Sequence, residues 1–151
     1  MAFTMNLITR KTIVNDVAVL TLALPILYNH YVQPIRLEAS RPSPSETVTL
    51  SGWGLTRYPG SVPNDLQYIN LQTLDLQTCA QLLQGINPIS NGHVCTTSPA
   101  GQGACKGDSG GPLINSADVQ VGIVSWGVPC AVGRPDVFTS VPFYYSWIQS
   151  H

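Results

Sequence analysis

The sequence predicts an all-β protein in which short strands form a small barrel and a C-terminal helix follows. Only 10% of the 151 residues are charged and 44% are hydrophobic, and the chain contains 13 glycines and 12 prolines. This composition suits a turn-rich β-protein better than a helical or disordered chain. From Thr47 onward, short apolar runs alternate with turn clusters such as Tyr58-Pro59-Gly60 and Asn91-Gly92, which is the spacing of barrel strands.

The N-terminal region contains one predicted strand. Residues 1–8 are mildly apolar, but two basic residues follow them rather than precede them, so they are not predicted to be a signal peptide. The longest apolar stretch, residues 13–24, is interrupted by Asp16 and is not expected to span a bilayer. Within it, residues 17–22 form a β-branched and apolar run that predicts a strand buried on both faces.

Asp16 lies at the start of this predicted strand, where burial of a carboxylate is costly unless the group is hydrogen-bonded or paired. Taken alone, an aspartate that follows Asn15 fits either a turn or strand-capping residue or a buried functional acid.

The segment 25–46 is punctuated by proline, which disfavours both helices and central strands. It is therefore predicted to be an extended linker over the surface. Its prolines are Pro25, Pro34, Pro42 and Pro44.

Two helices are predicted within and after the barrel. Asp75 can cap the first, and Pro142 precedes the second. The apolar faces of these helices consist of Leu76, Cys79, Leu82 and Leu83 in the first and of Tyr144, Trp147, Ile148 and His151 in the second.

Charge and motifs exclude several function classes. A net charge of -1 gives no electrostatic reason to expect a nucleic acid or an anionic membrane as a partner. No metal-ligand cluster, phosphate-binding loop or nucleotide fingerprint occurs, so no metal and no cofactor is expected.

The most informative stretch is the hexapeptide Gly107-Asp108-Ser109-Gly110-Gly111-Pro112, which follows Cys105 closely. A serine hydroxyl becomes a reactive nucleophile only when a base removes its proton and a third group orients that base. Glycines on both sides allow a tight turn and bring bare N–H groups near a ligand, as an oxyanion hole requires. The hexapeptide therefore indicates a catalytic serine rather than a simple turn.

These residues resemble the nucleophile motif of chymotrypsin-like serine proteases, and further motifs follow in the order of that family. Asn15-Asp16-Val17-Ala18-Val19-Leu20 is similar to the strand that carries the triad acid, and Gly52-Trp53-Gly54 to the barrel-entry motif. Residues 121–127 look like the substrate-binding strand. The resemblance extends from about residue 14 to the C-terminus.

The resemblance implies a fold of two antiparallel β-barrels with the active site between them. In this chain it assigns residues 1–24 to a remnant of the N-terminal barrel, 25–46 to the inter-barrel linker, and 47–151 to the C-terminal barrel and its terminal helix. It also implies the disulfides Cys79–Cys95 and Cys105–Cys130, and hence a secreted protein, since disulfides persist in oxidising compartments.

The resemblance also implies roles for the site residues. Ser109 is the expected nucleophile and Asp16 the triad acid, with Ser125 donating a hydrogen bond to Asp16. The expected oxyanion donors are the N–H groups of Gly107 and Ser109. The specificity pocket is assigned to Gly103, Ser125, Trp126, Gly127 and Asp136.

Asp108 is the acid that, in such proteases, pairs with the new amino terminus formed by zymogen cleavage. No segment of this chain resembles that terminus, so we expect Asp108 to lack a partner and the oxyanion hole to be poorly formed.

The resemblance leaves the catalytic base unassigned. The family places the histidine before the triad acid, but none of the residues before Asp16 is histidine. The three histidines of the chain are His30 in the linker, His93 in a turn predicted to be exposed, and His151 at the end of the last helix. All three are expected to be surface or turn residues rather than the base.

The pocket residues predict the preferred substrate. A glycine at position 103 leaves room at the pocket floor, and Gly127 leaves the mouth open. Asp136 is either an acid that attracts basic side chains or a turn residue after Pro135. The arrangement resembles broad-specificity digestive proteases, which implies cleavage after aromatic and long apolar residues with some tolerance for basic ones.

The sequence thus favours a serine endopeptidase that acts on polypeptides through an acyl-enzyme, of which this chain is a part that lacks the catalytic histidine and is inactive alone. Protein protease inhibitors are further expected partners, and the protein is expected to be a monomer. The alternative is a non-catalytic homologue that serves as a binding or regulatory module.

Overall fold

The computed structural model describes residues 2–5, 12–128, 130 and 132–151. Most regular elements in these residues are β-strands. In chain order the elements are β1 (Ala2–Met5), β2 (Ala18–Thr21), β3 (Arg36–Leu37), β4 (Thr47–Gly52), β5 (Gln67–Leu74), α1 (Leu76–Leu82), β6 (His93–Thr96), β7 (Pro112–Asn115), β8 (Val119–Gly127), β9 (Asp136–Ser140) and α2 (Val141–Gln149).

Six strands close into an antiparallel barrel. Around the ring, β4 pairs with β5, β5 with β6, β6 with β9, β9 with β8, β8 with β7, and β7 with β4. The two-residue strand β3 joins β8 in parallel outside the ring. The predicted all-β fold, with a C-terminal antiparallel barrel and a terminal helix, is therefore confirmed.

Alternating apolar residues fill the barrel. In β4, Val48 and Leu50 are buried while the threonines beside them are not, because successive side chains of a strand point to opposite faces. The same alternation in the other strands produces one interior cluster. Its buried members are Val48, Leu50, Leu71, Val94, Leu113, Val121, Val124 and Phe138.

The N-terminal strand is more exposed than predicted. Strand β2 pairs with β1 alone in the described chain, and Leu20 and Leu22 are 51% and 48% exposed. Burial on both faces, which the run by itself predicts, is absent in the described chain, where only Val17 of the run is buried; an exposed apolar face is what we expect of such a strand when most of its own barrel is missing. An apolar run shows that a strand favours burial, but a neighbouring layer must be present to bury it.

The linker and the helices lie at the surface of the barrel. Residues 23–35 are exposed, and no helix of the described chain is long and apolar enough to cross a membrane. Asp75 caps α1 by accepting a hydrogen bond from the N–H of Thr78 at 2.8 Å. In α2, Pro142 occupies the first turn, and His151 lies beyond the last helical residue rather than on the helix face.

Two disulfides are present, Cys79–Cys95 and Cys105–Cys130. The first joins α1 to β6 within a small cluster in which Cys79, Leu83, Cys95 and Val137 are buried. The second joins the loop that carries Ser109 to the segment after β8.

Removal of the first bridge should destabilise the fold strongly. Cys79 and Cys95 are 16 residues apart. In the chain-entropy model, a disulfide that closes a loop of that length raises the free energy of unfolding by about 3 kcal/mol. We expect the double substitution Cys79→Ala, Cys95→Ala to lower the free energy of unfolding by about that amount. Urea unfolding of oxidised protein measures the change, and a loss well below about 1 kcal/mol would contradict it.

Candidate active site

Ser109 lies on an exposed turn just before β7. The turn is fixed to β8 on its C-terminal side, because the N–H of Gly110 donates to the Val124 carbonyl and the N–H of Val124 donates to the Gly111 carbonyl, both at 2.9 Å. Gly107 has a φ of 103°, a backbone conformation that favours glycine. The turn therefore holds the Ser109 hydroxyl outward on a rigid support.

The backbone N–H groups of Gly107 and Ser109 donate no hydrogen bond to any residue that the structure describes. The carbonyl of Lys106 accepts a hydrogen bond from the N–H of Leu55 at 2.9 Å. In a trans peptide the C=O and the following N–H point in opposite directions, so the Gly107 N–H points away from Leu55. Within the described residues both groups are thus available to an anion, and the expectation of a poorly formed oxyanion hole stays a prediction.

Asp108 is partnered, contrary to expectation. Its carboxylate accepts hydrogen bonds from the N–H groups of Gly54 (2.8 Å) and Cys105 (3.0 Å). The expectation that it lacks a partner is wrong, because two backbone donors stabilise the charge that we assumed to be isolated. The same carboxylate lines a cavity of about 510 Å³, together with Tyr58 and Tyr68.

Asp16 is anchored to the barrel by two hydroxyl groups. Ser125 donates to its Oδ2 at 2.7 Å, and Thr139 donates to its carbonyl oxygen at 2.7 Å. The preceding residue, Asn15, is fixed by Tyr144, whose hydroxyl donates to the Asn15 side-chain carbonyl at 2.7 Å. These contacts span more than 100 residues of sequence and tie the N-terminal segment to β8, β9 and α2.

The structure brings Asp16 and Ser109 to one cavity of about 390 Å³. Val17, Ala18 and Gly110 also line it. One water occupies about 30 Å³ of liquid, so a cavity of this volume has room for an imidazole ring. None of the three histidines of the chain lines this cavity.

His93 is buried rather than exposed. It begins β6 and is only 2% exposed, so the prediction of an exposed turn is wrong. Its Nδ1 accepts a hydrogen bond from the N–H of Ser90 at 3.1 Å, which leaves the proton on Nε2 to be donated to the Ile13 carbonyl at 2.8 Å. His93 therefore holds the segment that leads to Asp16. His30 and His151 are exposed, as predicted.

Protonation of His93 should weaken the fold. Burial lowers the pKa of His93, Arg41 lowers it further, and the Ile13 carbonyl and Asp16 raise it in part. The unfolded chain then binds the proton more readily than the folded protein. The contribution of neutral His93 to the free energy of unfolding is therefore fully present above about pH 6.5, and it is lost as the pH falls from that value toward the lower pKa of the folded state.

Chemical unfolding from about pH 5 to about pH 8 measures this dependence. We expect His93→Gln to remove an acid-induced loss of up to about 1.4 kcal/mol per pH unit, since glutamine does not titrate. His30→Gln is the matched control and should leave the pH profile unchanged. Equal profiles for the native chain and His93→Gln would refute the assignment.

A third cavity, of about 140 Å³, is lined by both Ser109 and Asp136. Ser125, Trp126 and Gly127 of β8 line it.

Gly103 plays a different part from the predicted one. A Cβ at this position would lie 2.5 Å from Oδ2 of Asp136, so the carboxylate occupies the room that the glycine leaves.

Asp136 is a buried strand residue and not a turn residue. It begins β9 and is 2% exposed. Its Oδ2 accepts hydrogen bonds from the Ser98 hydroxyl at 2.6 Å and from the N–H of Ala104 at 2.8 Å. Burial raises the pKa of Asp136, the hydrogen bonds from Ser98 and Ala104 lower it, and Asp108 raises it.

Sequence reasoning missed the residues that support the site through long-range contacts. Thr139 and Tyr144 fix the Asp16 segment, His93 fixes Ile13, and Ser98 fixes Asp136. All of these supporting residues are buried and carry a polar group, and buried polar groups need a specific partner. The sequence offers no signal that identifies each partner.

Several known proteins are similar to this chain in sequence. A family model described as Trypsin matches residues 2–148. Chymotrypsin-2 of Vespa crabro is 41% identical over 140 residues, which are 92% of this chain and 62% of that protein. Trypsin beta of Drosophila erecta is 39% identical over 142 residues, which are 91% of this chain and 55% of that protein. The chain thus spans little more than half the length of these relatives.

The solved structures include a similar fold. Neuropsin, a serine protease expressed in the limbic system of mouse brain, superimposes with a TM-score of 0.87 at 29% sequence identity. The match covers 96% of this chain and 65% of neuropsin.

Proposed function

Since this chain belongs to the trypsin family, we propose that it is part of a serine endopeptidase that cleaves polypeptides through an acyl-enzyme. The observation that carries the proposal is the cavity lined by both Ser109 and Asp16, together with the N–H groups of Gly107 and Ser109, which donate to no residue in the described part of the chain. A nucleophile, an orienting acid and two oxyanion donors are the parts that this chemistry needs besides the base.

We propose that the base is a histidine from sequence outside these 151 residues. In the first step the Ser109 oxygen attacks the peptide carbonyl, and its proton passes to the imidazole that Asp16 orients. The N–H groups of Gly107 and Ser109 stabilise the oxyanion, and the imidazolium then protonates the departing amine. A water molecule, deprotonated by the same imidazole, hydrolyses the acyl-enzyme. The chain alone lacks this base and is expected to be inactive.

We assign the cavity beside Asp108 to zymogen activation. Asp108 would receive the positively charged amino terminus that cleavage creates, and the cavity of about 510 Å³ offers space for the end of that segment. The hydrogen bonds from Gly54 and Cys105 orient the carboxylate before the terminus arrives.

The substrate preference is assigned to the cavity between Ser109 and Asp136. Trp126 and Val124 supply apolar walls, and Asp136 supplies an acid at the far end. We therefore propose cleavage after aromatic and long apolar residues, with tolerance for basic ones. Matched peptides that contain Phe, Leu or Arg at the cleavage site test this preference in the complete protein, and strict preference for Arg would contradict it.

The two disulfides support a secreted protein, and we expect a monomer that also binds protein protease inhibitors. Full-length transcripts show whether further sequence precedes these residues. If the native message encodes these 151 residues alone, the partial-chain proposal fails, and a non-catalytic homologue that binds or regulates another protein becomes the better explanation.

A fluorophosphonate probe tests the catalytic proposal. It should label Ser109 rapidly in the complete, activated protein and slowly or not at all in the 151-residue chain, since the probe reports an activated serine. Peptide mapping by mass spectrometry identifies the labelled residue. Rapid labelling of the isolated chain would show that no outside base is needed, and an unlabelled complete protein would favour the non-catalytic homologue.

A further inference from the structure

The two oxygens of the Asp136 carboxylate have different surroundings. Oδ2 is saturated on the protein side, because the Ser98 hydroxyl and the N–H of Ala104 both donate to it. Oδ1 accepts no hydrogen bond from any residue in the described part of the chain, although an ionised carboxylate oxygen has two acceptor sites. Among the described residues, the carboxylate is thus held through Oδ2.

The other oxygen lies beside the cavity that begins at Ser109. A Cβ built on Gly127 would be 2.9 Å from Oδ1, and both Gly127 and Asp136 line this cavity. Oδ1 is therefore the carboxylate oxygen on the side of Gly127, and it has no donor among the described residues. Ser98 is itself only 6% exposed, so its hydroxyl cannot replace the hydrogen bond to Asp136 with one to bulk water unless the structure rearranges.

We infer that Ser98 is a positioning residue for substrate selection: its hydroxyl fixes Oδ2 of Asp136, so that Oδ1 is left to accept a hydrogen bond from a cationic side chain that enters the cavity. The inference rests on the proposed function, because it concerns the side chain that the same cavity would receive. It adds a residue, Ser98, and a pH dependence of the selectivity.

The groups around Asp136 determine the direction in which its pKa is shifted. Burial and Asp108 raise the pKa of Asp136, whereas the hydrogen bonds from Ser98 and Ala104 lower it. Lys106 also lines the cavity, and its ammonium nitrogen lies 4.6 Å from the centroid of the Tyr58 ring. Arg134 donates to the carbonyl of Leu82.

Loss of the Ser98 hydroxyl removes a contribution that favours the charged form, so the carboxyl group would be neutral over a wider pH range. Below the pKa of Asp136 the cavity is then neutral and selects apolar side chains. Above it, the ionised carboxylate also accepts Lys or Arg.

The first test needs no enzymatic activity. The NMR chemical shift of the Asp136 carboxyl carbon, followed against pH in the 151-residue chain, measures its titration directly. Ser98→Ala should move the midpoint upward by about one to two pH units, since a hydrogen bond to a charged group is lost. Ser98→Thr, which keeps the hydroxyl, should restore the native midpoint, and Ser116→Ala, at an exposed serine, should not move it.

An unchanged midpoint in Ser98→Ala would overturn the inference. The threonine variant is a separate check, because a midpoint displaced upward despite the retained hydroxyl would also contradict the assignment.

The second test uses the complete protease. The ratio of kcat/KM for Arg and Phe peptides should rise with pH around the midpoint that NMR finds for Asp136, and Ser98→Ala should move that rise upward by the same amount. Asp136→Asn should abolish the rise. If the protein cleaves both peptides with a ratio that does not depend on pH, the inference is refuted but the proposed function is not. If it cleaves neither peptide, the proposed function is refuted, and the NMR result is unaffected.

Discussion

Replacement of Ser109 with alanine should lower kcat of the complete protease by about 10⁶-fold, because no other group can then form the acyl-enzyme. The substitution removes one exposed hydroxyl from a turn that backbone hydrogen bonds hold to β8, so the fold should be unaffected. Binding of a peptide inhibitor should therefore change little. Steady-state kinetics measure kcat, and thermal unfolding verifies the fold.

The matched control is Ser116→Ala, which removes a hydroxyl from another exposed turn and should retain full activity. If Ser109→Ala retained more than about a tenth of the native kcat, another nucleophile would have to carry the reaction. The assignment of Ser109 would then be wrong.

Asp16→Asn should lower kcat by about 10⁴-fold while the geometry is preserved, since an amide at this position favours the wrong tautomer of the imidazole. Ser125 donates to Oδ2 of Asp16, and an asparagine side-chain oxygen can accept the same hydrogen bond. Thr139 holds the backbone carbonyl and is unaffected by the substitution. The loss should therefore appear in kcat rather than in stability.

Asp65→Asn removes the charge of an exposed aspartate and is the matched control. Its kcat should equal the native value. An Asp16→Asn variant that is as active as this control would show that Asp16 is a capping residue of β2, which was the alternative that the sequence left open.

The sequence was most informative where the chemistry is local. The alternation in β4, the Asp75 cap and the glycine-rich turn at Ser109 all depend on neighbouring residues, and the barrel and its terminal helix follow from many such segments together. The family resemblance added the order of the motifs, which periodicity alone does not reveal.

Errors arose where the outcome depends on residues far apart in the chain. His93 follows a turn, yet its ring is hydrogen-bonded to the carbonyl of Ile13, which lies 80 residues away. Gly103 suggested an open floor, but the carboxylate of Asp136 from β9 occupies that space. Residues 17–22 have the composition of a buried strand, yet nothing in their own sequence reveals whether a second layer covers them.

A crystal structure of the complete protein tests the central claim most directly. It should show an imidazole in the cavity of about 390 Å³, with one ring nitrogen within about 2.6–3.2 Å of the Ser109 hydroxyl and the other hydrogen-bonded to the Asp16 carboxylate. A cavity that holds a different side chain, or that is closed by a segment without histidine, would contradict the account.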